Sequence, residues 1–256
     1  MEVTLRALAV ATGLLWLFLG VFLATVIYSA TQIRVEGMAA TIRQEDASII
    51  FSINVTIYNG GFHDITNLNI RTVMVLNLTG DVLANASSTL PAIRKRERGV
   101  LIHEVVLDLA ALAQKPEVIK VLAFNDTAID LAIYISLTYA YVFGTVLNMN
   151  SSVPWGAPMS GLVVKGYQFV GDALLVNMSF SNHSPMGYEI WLEALNDRGE
   201  SLGTSDKVSM SPGAAFDGAF EISILHPELW TGSGTLVAHV AIGETQLSLE
   251  VMEYRV

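Results

Sequence analysis

The residues with the clearest chemistry are asparagines in the acceptor pattern for N-linked sugars, in which a non-proline residue and then serine or threonine follow. Chance would give roughly two such triplets in this composition, and the chain has seven, all after residue 50. We predict glycosylation candidates at Asn54, Asn77, Asn85, Asn125, Asn150, Asn177 and Asn182. This excess favours an exterior location for the C-terminal bulk of the chain, although a polar bias in β-turns is an alternative explanation.

Residues for catalysis or metal binding form no familiar pattern. The five histidines stand outside metal-site spacings, and the sequence has no cysteine. It also has no serine elbow and no glycine-rich loop that opens onto a helix. Carboxylates such as Asp172, Glu193 and Glu221 are expected on outward faces of sheets. We therefore expect no enzyme, no cofactor and no metal. A hydrolase acting on envelope polymers stays an alternative, which convergence of histidine and carboxylate side chains in one pocket would favour.

A single basic cluster stands out in a chain of net charge −10. It consists of Arg94, Lys95, Arg96 and Arg98, in a predicted loop after Pro91. One interpretation is a solvated connection. The other is an electrostatic contact with an acidic partner, such as a glycan, a lipid headgroup or a neighbouring surface protein. The acidic balance of the whole chain argues against nucleic-acid binding.

The segment 7–30 contains no charged residue. As a helix it would extend roughly 36 Å, more than the ~30 Å hydrocarbon core of a bilayer, and it is longer than the apolar part of a typical signal peptide. We predict an uncleaved, single-pass transmembrane anchor over 1–31 that contacts the lipid bilayer through residues 7–30. The remainder would then lie outside the cytoplasm. The residues around Ala7 also resemble the processing site of archaeal pilin-like precursors, so a filament subunit processed near Ala7 is an alternative.

The second half of the sequence repeats the first. The stretch 54–59 parallels 177–182, a loop and an apolar strand follow each, and Gly80 and Gly199 stand at matching turns. The alternation of apolar and polar residues predicts about seven short strands per copy, as in antiparallel sandwiches. We predict a first domain over 32–147, a linker over 148–161 and a second domain over 162–256. The first copy adds a short helical segment over 109–124, divided at Pro116.

The order of these elements resembles the water-stress-and-hypersensitive-response domain of the group-2 late-embryogenesis-abundant proteins. The match rests on a strand, an asparagine-containing loop (Asn59-Gly60 and Asn182-His183), an apolar strand, a glycine turn, and a polar strand that ends at Pro91 or Pro212. The resemblance implies a mainly β fold with two immunoglobulin- or fibronectin-like sandwiches in tandem and no catalysis. Together with the anchor and the acceptor triplets, it suits an archaeal surface protein. We expect a membrane-anchored, extracytoplasmic structural or binding protein of the cell envelope.

Overall fold

The chain begins with a long helix, α1 (Glu2–Ala30). The computed structural model describes residues 2–45 and 48–255, with side chains from residue 8 onward. The side chain of Ala7, at the predicted processing site, lies outside the described residues, as do Met1, Asp46, Ala47 and Val256. The part Leu8–Ala30 is long and apolar enough to cross a membrane. Most of its large apolar side chains point away from the rest of the protein, as expected of a helix whose partner is lipid.

The strands that follow α1 form a first antiparallel sandwich. In the described part they are β1 (Ile33–Glu45), β2 (Ser48–Asn59), β3 (Ile65–Leu76), β4 (Val82–Ile93), β5 (Arg98–Asp108), β6 (Thr127–Tyr139) and β7 (Phe143–Trp155). One sheet has the order β1-β2-β5 and the other β4-β3-β6-β7. Alternate residues of β3 and β5 are buried, because successive side chains of a strand point to opposite faces and each sheet buries one face.

The second half of the chain repeats this topology. Its strands are β8 (Ser160–Val170), β9 (Ala173–Ser181), β10 (Tyr188–Asn196), β11 (Ser201–Thr204), β12 (Val208–Met210), β13 (Ala215–Ser223), β14 (Ser233–Ile242) and β15 (Thr245–Arg255). One sheet has the order β8-β9-β13. The other has the order β11-β10-β14-β15, and β12 also pairs with β10. When β11 and β12 are matched to β4, the two halves have the same strand order, which confirms the predicted mainly β fold with two sandwiches.

Two short helices connect β5 to β6, as the position of Pro116 predicts. They are α2 (Leu109–Leu112) and α3 (Pro116–Phe124). Asp108 caps α2 by accepting a hydrogen bond from the Ala111 N–H at 3.0 Å. Pro116 starts α3, where its missing N–H costs no helical hydrogen bond. The second half has only a single 3₁₀ turn at the matching position, Pro227–Leu229.

The predicted linker 148–161 is wrong for most of its length. Strand β7 continues to Trp155 and pairs with β6 along its whole length, and β8 starts at Ser160. The polar residues that suggested a linker lie on an edge strand whose two faces are both exposed. Polar side chains stay hydrated there and carry no desolvation penalty. The connection between the strands is itself packed, since Ala157 and Met159 are fully buried.

The two sandwiches meet through α2, α3 and the end of β7. Trp155 is buried there, and its Nε1 donates to the Leu122 carbonyl at 2.8 Å. Leu122 and Trp155 border a cavity of only about 20 Å³ together with Val240 and Leu249 of the second sandwich. The apolar core is therefore continuous across the junction. Helices α2 and α3 of the first copy form part of this junction.

The turn between β6 and β7 has an uncommon backbone conformation. Strand β6 stops at Tyr139. Ala140 and Tyr141 have positive φ angles of 52° and 61°, so the chain reverses there and enters β7. Positive φ is uncommon for residues with a side chain, and the alternation of apolar residues gave no signal for this turn.

Candidate functional site

One face of α1 packs against the end of the first sandwich. Phe22, Val26 and Ser29 lie four and three residues apart, which places them on the same side of a helix. Val26 and Ser29 are buried, and the ring of Phe22 lies 5.9 Å from that of His63, centroid to centroid. The sandwich therefore holds the end of the helix directly.

The loop after β2 makes this contact possible through Gly61. A Cβ at that position would lie 2.8 Å from the carbonyl oxygen of Ser29, which is closer than side chains tolerate. The Ser29 hydroxyl forms a hydrogen bond with the Tyr139 hydroxyl and accepts another from the Phe62 N–H. Glycine is required because the backbone must approach the helix without a side chain in between.

Asn59 ties this loop to the basic loop. Its Nδ2 donates to the carbonyl oxygens of His63 at 2.8 Å and Ile93 at 3.0 Å. Its own carbonyl accepts from the Arg96 N–H at 2.6 Å. Since Asn59 is fully buried, these bonds fix where the basic loop leaves the sandwich.

Three loops meet at the helix-docked end, namely 60–64, 94–97 and 140–142. Asp64 joins them, because its carboxylate accepts from the Lys95 N–H at 2.9 Å and from the Tyr141 hydroxyl at 3.2 Å. That hydrogen bond to Asp64 raises the pKa of the Tyr141 hydroxyl. We call the exposed side chains of this end the collar. The collar consists of Phe62, Arg94, Lys95, Arg96, Glu97, Tyr141 and Val142.

The predicted basic cluster is divided by the structure. Arg94, Lys95 and Arg96 are exposed in the collar, and within the described part of the chain none of them forms an ion pair. Arg98 instead begins β5 and pairs with Glu36 of β1 at 2.6 and 3.2 Å. This hydrogen bond lowers the pKa of the Glu36 carboxyl. The candidate electrostatic contact is therefore reduced to the first three residues.

Six of the seven predicted sugar acceptors have exposed side chains. These are Asn54, Asn77, Asn85, Asn125, Asn150 and Asn177. Asn177 faces outward between buried Val176 and Met178 of β9, and Asn54 faces outward on the matching strand β2 between half-buried Ile53 and buried Val55. A sugar on either residue would point away from the core, as the alternation of their strands predicts.

Asn182 is not suited to be an acceptor in the folded protein. It is fully buried, and its Nδ2 donates to the carbonyl oxygens of Met186 at 2.8 Å and Ser211 at 3.0 Å. Its Oδ1 accepts from the N–H of Ser184 at 3.0 Å and from the Ser184 hydroxyl at 2.6 Å. These are the bonds of Asn59 repeated in the second copy. The Asn-x-Ser pattern at 182 thus reflects turn chemistry.

A second candidate site lies in the groove between α3 and the outward face of the sheet that contains β10, β14 and β15. The groove has a volume of about 410 Å³ and is lined by Glu193, His239 and Ser248, with Pro116 and Lys120 on the other side. His239 is almost fully buried, whereas Ser248 is exposed. The three polar residues come from neighbouring strands and share one face.

The side chains of this groove form a connected series. Glu193 Oε2 lies 2.7 Å from His239 Nε2, and Ser248 Oγ lies 2.9 Å from His239 Nδ1. Gln246 Nε2 also lies 2.9 Å from His239 Nδ1. The ring of Trp191 stacks on the imidazole at 5.2 Å and fixes its plane. A carboxylate, an imidazole and an accessible hydroxyl in this order have the connectivity of an acyl-transfer triad. The sequence predicted Glu193 only as an outward-facing residue, and nothing in the spacing pointed to His239 or Ser248.

Comparisons with known proteins assign the chain to no family. No family model matches the chain, and no curated protein matches it. A crystal structure of a protein from Archaeoglobus fulgidus is similar at a TM-score of 0.35 and 15% identity, over 47% of this chain and 97% of that one. Red sea bream transglutaminase is similar at 0.30 and 12%, over 86% of this chain and 32% of the other. A β-glucuronidase of glycoside hydrolase family 2 gives 0.30 and 10%, over 82% and 24%. Similarity this low indicates no function, and the resemblance to late-embryogenesis-abundant proteins stays a prediction.

Proposed function

We propose that the protein is a single-pass, membrane-anchored structural or binding protein of the cell envelope, with both sandwiches outside the cytoplasm and no catalytic role. The observation that carries this proposal is α1, which exposes an apolar surface long enough for a bilayer and is held by the first sandwich at one end. The six exposed acceptor asparagines, spread over both sandwiches, support the exterior location.

Protease treatment of intact cells tests the orientation. We expect cleavage of the second sandwich in intact cells, followed by retention of an α1-containing fragment in the membrane fraction. A C-terminal region that stays protected until the cells are lysed would contradict the proposal.

The surface best suited to binding is the open side of the first sandwich, where β1 and β7 are the edge strands. Nearly every residue of both strands is exposed, including Met38, Val146 and Met149. Strand β7 is 13 residues long and carries no charge. Natural proteins normally protect such edges, because unpaired N–H and C=O groups beside apolar side chains invite another strand. We propose that an extended segment of a neighbouring protein adds to β7.

The second sandwich provides the contrast. Its matching edges, β8 and β15, are joined by Tyr167, whose hydroxyl donates to the Arg255 carbonyl at 2.7 Å and accepts from the Arg255 N–H at 3.0 Å. A lysine at Val146 should therefore weaken cross-linking of the protein to its neighbours in intact membranes. The same change at Val163 of β8, which is also exposed, should leave the cross-linking unchanged. Equal effects of the two substitutions would contradict strand addition at β7.

The groove supports a second candidate function, a hydrolase for carboxylic esters. In this reaction the Ser248 Oγ attacks the ester carbonyl while its proton passes to His239 Nδ1. His239 then gives that proton to the departing alkoxide, and water releases the acyl group by the reverse transfers. Glu193 accepts a hydrogen bond from the Nε2–H of His239 and orients the ring.

A fluorophosphonate probe tests this candidate directly. We expect covalent labelling of the peptide that contains Ser248 in the full-length protein, and its loss in Ser248→Ala. Ser209→Ala, on the surface strand β12, is the matched control and should be labelled like the unmodified protein. Absence of labelling in the unmodified protein would eliminate the hydrolase.

A further inference from the structure

We infer that the collar is a membrane-surface contact that places its aromatic tips in the bilayer interface and binds anionic lipid headgroups with Arg94, Lys95 and Arg96. This inference rests on the proposed function, because it requires α1 to lie in the bilayer. It adds a lipid-binding role to loops that belong to the soluble part of the protein.

The position of the collar along α1 is the first argument. Counted from Leu8, about 20 residues at 1.5 Å each cross the ~30 Å hydrocarbon core and end near Ile27. The helix residues that the sandwich buries, Val26 and Ser29, lie at this boundary. Since Gly61 and Phe62 contact Ser29 directly, the loops around them must lie at headgroup depth.

The chemistry of the collar is the second argument. Tyr141 is 70% exposed, Val142 65% and Phe62 49%. Valine and phenylalanine are among the residue types that are most often buried in folded proteins. Phe62 also stacks on Tyr28 of α1, with ring centroids 6.2 Å apart, which makes the aromatic surface continuous from helix to loop. Aromatic side chains are enriched at the interface between hydrocarbon and water.

The charge of the collar is the third argument. Three consecutive cationic residues stand together in a chain of net charge −10, and the collar is where the fold places them. Two carboxylates belong to these loops. Asp64 is engaged by the Lys95 N–H and the Tyr141 hydroxyl, and Glu97 beside the three cations leaves the loop 94–97 with a net charge of +2 (three minus one). The ammonium and guanidinium groups therefore remain available for phosphate oxygens, which bind cations of this kind strongly.

The second sandwich shows that the collar is not a general property of the fold. Its matching loop has Ser211, Gly213 and Ala214 in place of the basic residues. Its matching docking loop packs on protein, since the His183 N–H donates to the Ala157 carbonyl at 3.0 Å. The loops next to α1 carry three cations and exposed aromatic side chains, whereas the matching loops of the second copy, 183–187, 211–214 and 243–244, contain no lysine, arginine, phenylalanine, tyrosine or tryptophan.

Spin labels at single positions test this inference. Because the sequence contains no cysteine, a label attaches only at the one cysteine that is introduced. Full-length protein in lipid nanodiscs would carry the label at Val142 in the collar, at Leu78 in the turn between β3 and β4 at the opposite end of the sandwich, or at Leu15 in α1. Collision rates with oxygen, which partitions into lipid, and with a water-soluble nickel chelate report the depth of each label.

We expect the Val142 label to show a several-fold higher ratio of oxygen to nickel collisions than the Leu78 label in nanodiscs with 30% phosphatidylglycerol. This ratio should fall in purely zwitterionic nanodiscs. It should become independent of lipid charge in the variant R94Q/K95Q/R96Q, whose folding is checked by near-ultraviolet circular dichroism.

The outcomes separate the inference from the proposed function. If the Leu15 label is exposed to the nickel chelate, α1 does not span the nanodisc and the proposed function fails. If Leu15 is in lipid while Val142 behaves like Leu78, the anchor stands and the collar inference is overturned. The Val142 ratio could also stay the same in anionic and zwitterionic nanodiscs and in R94Q/K95Q/R96Q. That result would overturn the assignment of the cations to lipid headgroups.

Discussion

At the scale of single residues, Asn59 and Asn182 show how one side chain can close a loop in each copy. Each donates Nδ2 to two carbonyl oxygens, one of them four residues ahead, and accepts an N–H from two residues ahead. An asparagine is suited to this position because it supplies two donors and an acceptor on a short side chain.

Removal of the Asn182 amide should therefore destabilise the second sandwich. Asn182→Ala leaves the buried carbonyl of Met186 and the part-buried carbonyl of Ser211 without this donor, at a cost of about 1–3 kcal/mol. Urea unfolding measures this loss. Asn177→Ala, on the exposed face of β9, is the control and should change stability by less than about 0.5 kcal/mol. Similar losses in both variants would contradict the role of Asn182.

His103 belongs to the same scale. It is fully buried between the two sheets of the first sandwich, where its ring nitrogens meet Thr72 Oγ1 at 2.9 Å and Ser88 Oγ at 3.0 Å. Burial lowers the pKa of its imidazole, so folding favours the neutral ring. The unfolded chain binds the proton more tightly. The contribution of neutral His103 to the free energy of unfolding is therefore fully present above the ordinary histidine pKa of about 6.5. It is lost as the pH falls through the lower pKa that His103 has in the folded protein.

A glutamine at position 103 removes this pH dependence while keeping a polar side chain for Thr72 and Ser88. We expect His103→Gln to cost about 1 kcal/mol at pH 7.5 and to lose less stability than the unmodified protein between pH 7.5 and pH 5. Thermal unfolding at the two pH values measures the difference. If the variant loses as much stability between pH 7.5 and pH 5 as the unmodified protein does, groups other than His103 cause the loss.

At the scale of elements, the sequence predicted most of the strands and helices because their signals are local. Alternation along β3 and β5, the glycines of the turns and Pro116 each act within a few residues. The linker prediction failed at β7 because an edge strand exposed on both faces has no alternation to detect. The docked helix end and the groove were not predictable, since Ser29 and Tyr139 are 110 residues apart and Glu193 and His239 are 46 apart.

The contact between α1 and the first sandwich depends on Gly61. We expect Gly61→Ala to force the loop away from Ser29 and to free the end of the helix, because its Cβ has no room beside the Ser29 carbonyl. Faster hydrogen exchange of residues 27–33 measures this release. Gly37→Ala in β1 is the control, because its Cβ would meet nothing closer than 4.0 Å. If residues 27–33 exchange at the same rate in Gly61→Ala as in the unmodified protein, the loop accommodates the added Cβ and the contact does not depend on Gly61.

At the scale of the whole molecule, the two sandwiches should unfold as one cooperative unit because they share a core at Trp155. We expect Trp155→Ala to cost about 3–5 kcal/mol and to divide a single calorimetric transition into two. Trp191→Ala, on the outward face of β10, should leave a single transition. Two transitions in the unmodified protein would contradict this coupling.

The burial of Asn182 has a consequence for the order of events during biosynthesis. A sugar attached to its Nδ2 while the chain is still extended would occupy the nitrogen that must later reach Met186 and Ser211. Modification at this position and maturation of the second sandwich therefore exclude each other. On the proposal that both sandwiches lie outside the cytoplasm, molecules that fold before modification would carry at most six glycans.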